Sequence, residues 1–198
     1  MSKIDKTNQE LSKLILNEGR EYHNVKRNAK RLQIPSYTLR HDKETGGYPL
    51  ISTKRGFFNG VATELIWFLR GDNNIEYLNK NKVYFWNKDA YNTYTRECKK
   101  YGETPMSFEK FNKIGKGSVG QNYSVQWRNF NGNTDQIDNL IKGMKKDIMG
   151  SRLKVNAWNP SELDKTALPP CHDGFQVIGV PLDDGEFGFE VHWNQRSV

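Results

Sequence analysis

The chain has 198 residues, of which 35% are hydrophobic and 27% charged, with five Trp, ten Phe, nine Tyr and a formal net charge of +7. That length suits one domain with a real core, and the aromatic content excludes a disordered chain. Only two Cys occur, Cys98 and Cys171, far apart and beside no metal-type spacing, which excludes a disulfide scaffold and argues against a zinc site. No apolar run reaches the length of a membrane span, and the polar start MSKIDKTNQELSK lacks a signal-peptide core. The expectation is a soluble, cytoplasmic protein with no membrane partner.

Residues 3–18 read as an amphipathic helix, with Ile4, Leu11, Leu14 and Ile15 on one face. Basic residues concentrate at 20–31 and again around 140–154. Such a surface suits anionic small molecules as well as nucleic acid. No signature of basic residues interleaved with aromatics is present, so no specific nucleic-acid partner is expected. The sharper expectation is phosphate binding by Arg, set against a merely solvated basic face. Residues 35–55 read as extended chain with a turn at Gly46-Gly47. Residues 59–70 read as a strongly apolar helix with Val61, Leu65, Phe68 and Leu69 at helical spacing and Gly71 placed to end it. The polar stretch 88–117 reads as an insertion on the one domain, with Ser107 capping a helix at 108–114. Residues 134–147 give another amphipathic helix, with Ile137, Leu140, Ile141 and Met144 inward. The remainder is β: 153–158, 174–180 and 186–193, the last two joined by a turn at Asp184-Gly185. The fold class is α+β, a mixed sheet packed against helices.

The chemistry concentrates in NAWNPSELDKTALPPCH, residues 156–172. Two prolines stiffen the approach to Cys171, and His172 follows it. A thiolate is a strong nucleophile when cations or dipoles favour it, and Arg152 and Arg196 are candidates for that task. A lone Cys is more often a buried structural residue, so the motif needs company. It has it. The stretch AWNPSELDKTALPPCH resembles the active-site signature of the thymidylate synthase family. Ser52-Thr53-Lys54 resembles that family's Thr-Thr-Lys segment, and ELIWFLRGD at 64–72 resembles the helix carrying its Glu. Tyr123, Gln126, Trp127 and Arg128 resemble its Tyr-Gly-x-Gln-Trp-Arg segment, and Gln195-Arg196-Ser197 its Gln-Arg-Ser strand. Order and spacing agree from about residue 10 onward.

The resemblance implies a methyltransferase, a homodimer that transfers and reduces a one-carbon unit from 5,10-methylenetetrahydrofolate to C5 of dUMP. Cys171 would be the nucleophile, with Glu64 and Tyr123 as its catalytic companions. Arg196, Ser197 and Arg152 would hold substrate phosphate, Arg152 from the other subunit. Arg27 is the candidate for the mobile-loop phosphate ligand, with Lys26 or Arg31 as substitutes. Lys54, Trp86, Asn87, His172 and Gln195 would line the folate and nucleotide pocket. Asn159 and Asp164 read as structural.

The chain departs from the family pattern in places. Leu153 follows Arg152 where two Arg are usual. The loop 118–124 is altered, Asn87 replaces an Asp, and His192-Trp193-Asn194 is an unusual lead-in to Gln-Arg-Ser. The family's Arg-Thr-Gly-Thr-Gly-Thr loop is not recognisable, and the family's sequence extends beyond Val198, so an incomplete domain is expected. Two alternatives follow: a dUMP or dCMP hydroxymethylase of the same family, and, from another class, a truncated and inactive nucleotide- or RNA-binding protein.

Overall fold

The structure, a computed structural model, describes residues 2–25 and 28–196. They pack as two compact units, Met1–Phe58 and Asn59–Val198.

In the first unit, α1 (Lys3–Glu18) starts at a capping box. Ser2 Oγ accepts the Asp5 N–H at 3.2 Å, and the Asp5 carboxylate accepts the Ser2 N–H at 3.1 Å. The same buried carboxylate accepts the Ser52 N–H and hydroxyl at 2.7 and 2.5 Å. These hydrogen bonds hold the Asp5 carboxyl well below the usual carboxylate range, those from Ser52 most of all. They also tie the 52–54 segment to the start of α1. Next, β1 (Arg20–Asn24) and β2 (Ala29–Gln33) pair antiparallel. Their charged residues carry no hydrophobic alternation, so the sequence does not announce this hairpin.

Residues 35–55 are not simply extended around a turn. Asp42 accepts the Glu44 N–H at 2.8 Å and starts a single helical turn, α2 (Lys43–Gly46), which Gly47 ends at φ 65°. The cause is local: a side-chain cap satisfies a helix-start N–H that extended chain would leave to solvent.

The second unit opens with the body of α3 (Phe58–Leu69). Trp67 and Phe68 are buried, but Val61, Leu65 and Leu69, which share the helical spacing with Phe68, are exposed. A helix apolar almost all round offers the 3.6-residue period no polar face by which to choose. There follow α4 (Glu76–Lys80), α5 (Asn87–Lys100) and α6 (Phe108–Ile114), the last capped by Ser107 as expected. Then come α7 (Tyr123–Asn129) and α8 (Gln136–Lys146). On α8, Ile137 is buried and Leu140 packs on the core, whereas Ile141, also expected inward, is exposed.

The sheet is antiparallel in the order β3 (Lys154–Asn156), β4 (His172–Pro181), β5 (Phe187–Gln195). The β4–β5 turn falls at Asp184-Gly185, with Gly185 at φ 80°. α8 is stitched to β3 through Gln136, which donates to Asn156 O at 2.8 Å and accepts the Asn156 N–H at 2.9 Å. The core gathers Trp67, Phe68, Ile75, Leu78, Trp86, Tyr123, Trp127 and Val155 between helices and sheet. Phe187, Phe189, Val191 and Trp193 alternate along β5 but stay largely exposed. The α+β class stands.

Candidate active site

The nucleophile candidate sits where a loop enters β4. A short 3₁₀ helix, Pro160–Lys165, precedes it, and that loop is fastened to α7. Asn159 donates to Gln126 Oε1 at 3.1 Å and Asn131 Oδ1 at 2.9 Å, while Gln126 donates to Glu162 at 2.9 Å. Asn159 thus helps to fasten this loop. Gly120 completes the fastening by bridging to Thr166. At φ 73°, with a Cβ destined to lie 2.0 Å from Lys165 O, only glycine fits there.

Cys171 is half-buried. Its N–H donates to the Tyr123 hydroxyl at 2.5 Å. Burial, before any other influence, pushes the Tyr123 phenol up to about 12, so it stays a neutral hydroxyl. The β4–β5 register breaks between His172 and Gly174, and a Cβ on Gly174 would lie 2.2 Å from Val155 O. Such a bulge re-aims the strand next to a functional side chain. Arg196 lies across from the nucleophile. Its N–H donates to Cys171 O at 2.8 Å, and Nε and Nη2 both donate to Pro170 O at 3.1 Å. The guanidinium also lies over the Trp158 ring, 5.2 Å from its centroid. A fixed positive charge therefore stands beside the backbone at Pro170 and Cys171.

His172 is buried between aromatic rings. Tyr123 stacks on it at 4.4 Å and 12°, and Trp193 lies at 4.1 Å on a tilt. Burial draws its pKa down to about 4, so the ring is neutral at pH 7. Its buried Nε2 has no hydrogen-bond partner among the described residues.

The second carboxylate belongs to the same cluster. Glu64, on α3, accepts the Trp86 indole N–H at 2.6 Å. Burial raises its pKa, and the Trp86 hydrogen bond works in the opposite direction. Trp86 in turn meets Tyr123 edge-on at 6.3 Å. Glu64, Trp86, Tyr123, His172 and Cys171 thus form one continuous chain of contacts. It unites an acid–base group of raised pKa, an aromatic wall, a neutral hydroxyl and a thiol. That set can attack an electrophilic carbon covalently and move protons nearby.

The other expected residues are more dispersed. Asn87 is buried and donates to Asn112 Oδ1 at 3.1 Å. Gln195 is exposed, and its Oε1 accepts the Trp193 N–H at 3.0 Å. Arg152 is exposed in the turn before β3. Lys54 is exposed in the first compact unit. Arg27 and Ser197 lie outside the described residues. Two contacts went unforeseen: Trp158 beneath Arg196, and Trp193 against His172 and Gln195. The second had a sequence signal, since residues two apart on a strand share a face. A cleft of about 300 Å³ between α5 and α6, lined by Thr93, Met106 and Phe111 among others, touches none of these groups. Among the described residues, no group of three or more His, Cys, Asp or Glu is arranged to hold a metal, and no helix is long and apolar enough to cross a membrane.

Comparison with known proteins shows what the chain is similar to. The family model for thymidylate synthase matches residues 6–198. A thymidylate synthase of Mycoplasma genitalium is 36% identical over 194 residues, covering 95% of this chain and 65% of its own length. One of Malacoplasma penetrans is 41% identical over 140 residues, covering 68% and 48% respectively. A probable thymidylate synthase of Escherichia phage T5 is 41% identical over 152 residues, covering 77% and 50%. The chain spans about half to just under two thirds of the length of these relatives.

Proposed function

Since the chain belongs to the thymidylate synthase family, we propose that it serves a thymidylate synthase: methyl transfer to C5 of dUMP, with 5,10-methylenetetrahydrofolate as donor and reductant. The observation that carries this reading is the continuous chain from Glu64 through Trp86 and Tyr123 to Cys171. A binding module has no use for a half-buried thiol held at its backbone by a neutral tyrosine, with a carboxylate of raised pKa two rings away.

The residues divide the work as follows. C5 of a pyrimidine is a poor nucleophile. Addition of the Cys171 sulfur at C6 makes C5 enolate-like and able to form a new carbon–carbon bond. Tyr123 keeps the Cys171 backbone in position for that addition. Glu64 holds and returns protons near the base, a task its raised pKa suits. Trp86, itself buried in the core, fixes the Glu64 carboxylate. That carboxylate suits a hydrogen-bonding heterocycle such as folate, which supplies the one-carbon unit and the hydride. Arg196 and Ser197 take the nucleotide phosphate, with Arg27 and, from a second subunit, Arg152. Asn87, His172 and Gln195 are the further pocket residues of this reading. The exposed apolar face of β5 and the exposed Val61 and Leu65 of α3 support a homodimer, since apolar area of this kind marks an interface. The segment 88–117 is an insertion on the family's single domain, and the enzyme works in the cytoplasm.

The test is covalent trapping. A protein carrying this chain, incubated with 5-fluoro-dUMP and methylenetetrahydrofolate, should give a ternary adduct by mass spectrometry, and Cys171→Ala should abolish it. No adduct, or an adduct that survives Cys171→Ala, refutes the reading. With dUMP, formation of dTMP and dihydrofolate is expected; 5-hydroxymethyl-dUMP without dihydrofolate would assign a hydroxymethylase instead.

A further inference from the structure

We propose that Trp193 is a positioning residue of this site, holding the His172 ring and the Gln195 amide in place beside Cys171. The proposal deepens the enzymatic reading above and rests on it. Trp193 makes three contacts. Its ring centroid lies 4.1 Å from that of His172, and 5.8 Å from that of Phe175 in a stack only 8° from parallel. Its indole N–H donates to Gln195 Oε1 at 3.0 Å. Phe175 is its direct partner across the β4–β5 ladder. The bulge between His172 and Gly174 shifts the register there, and the same indole meets the His172 ring as well.

Two consequences follow for the nucleophile. His172 meets both rings, Tyr123 stacked on it at 12° and Trp193 tilted against it at 42°. Removing the indole strips the imidazole of one of its two closest ring contacts and loosens the stack that holds Tyr123. The Tyr123 hydroxyl is what receives the Cys171 N–H, so the disturbance reaches the nucleophile through one ring and one hydrogen bond. Separately, the indole N–H orients Gln195, one position before the Arg196 that braces Pro170 and Cys171. The competing account is a cross-strand aromatic pair that merely steadies the hairpin. Such a role needs only Phe175. It explains neither the contact with His172 nor the hydrogen bond to Gln195.

Two variants separate these roles. Trp193→Leu removes both the ring and the donor, whereas Trp193→Phe keeps a ring and loses the donor. Three quantities are read: the His172 imidazole proton resonances, the rate at which iodoacetamide alkylates Cys171 (resolved from Cys98 by peptide mass), and kcat and KM for dUMP. In Trp193→Leu the His172 resonances should lose their ring-current shielding. Alkylation of the loosened Cys171 should rise, and kcat should fall, each by about 2- to 10-fold, the range one aromatic pair is worth. Trp193→Phe should restore the resonances, the alkylation rate and kcat, but leave KM raised. Unchanged His172 resonances and alkylation in Trp193→Leu overturn the proposal, even if the variant melts earlier. Should Trp193→Leu fail to fold, an unchanged KM in Trp193→Phe overturns it. The first two readouts need no turnover, so they stand apart from the trapping test of the proposed reaction.

Discussion

Acid is the most direct probe of how the site is packed. His172 is buried between Tyr123 and Trp193, and burial lowers its pKa from 6.5 to about 4. In the unfolded chain the ring regains water and titrates near 6.5. Between those two values the unfolded state binds a proton that the folded state refuses. Stability from this residue is therefore complete above pH 6.5 and is lost as the pH falls toward 4. The shift is 6.5 − 4, or 2.5 units. At about 1.36 kcal/mol per unit, that amounts to about 3 kcal/mol in all, of which about 2 kcal/mol is gone by pH 5. For a chain of this length, about 1 kcal/mol moves Tm by roughly 2–4 °C. His172→Phe keeps a ring in the stack and removes both the titration and the unpartnered Nε2. Between pH 7 and pH 5 the parent should therefore lose roughly 4–8 °C more than His172→Phe. Scanning calorimetry across that range reads the difference directly. Superimposable acid limbs, or an NMR titration of His172 near 6.5, would refute the reasoning.

Tyr123→Phe leaves the Cys171 N–H without its acceptor. It should cost about 1–3 kcal/mol in denaturant unfolding, with slower trapping of 5-fluoro-dUMP at Cys171; an unchanged midpoint and trapping rate count against the hydrogen bond. Glu64→Gln acts in the opposite pH window from His172. Burial raises the Glu64 pKa above 4.5, so this group's contribution is complete below pH 4.5 and is lost as the pH rises through the folded value. The Gln variant should therefore gain stability relative to the parent at neutral pH and none below pH 4.5. Its turnover should fall by about 10²-fold or more, the usual worth of a positioned acid–base group. A Gln variant that gains nothing at pH 7 counts against burial as the cause.

How much of this was legible in the residues follows from how local each signal is. The capping serine at 107 and the hairpin turn at Asp184-Gly185 depend on neighbours within a few positions, and the structure places them as read. Asp42 also acts locally, yet its cap on α2 lies in a stretch whose composition reads as extended chain. The buried face of α3 was not legible. Val61, Leu65 and Phe68 are equally apolar, and only packing against Trp86 and Tyr123 selects Phe68. The β1–β2 hairpin was hidden for a similar reason, because charged strands carry no period-two signal.

The chemistry divides the same way. Sequence alone determined which groups are present and in what order: the thiol after two prolines, the carboxylate on an apolar helix, the Arg at the end of the last strand. Hydrogen bonding and acid–base capacity belong to a side chain wherever it lies. Only the tertiary structure decided that Trp86 holds Glu64, that Tyr123 receives the Cys171 N–H across 48 positions of chain, and that His172 is neutral between two rings. Burial and distance are properties of the packed chain, and they set the pKa and the aim of each group.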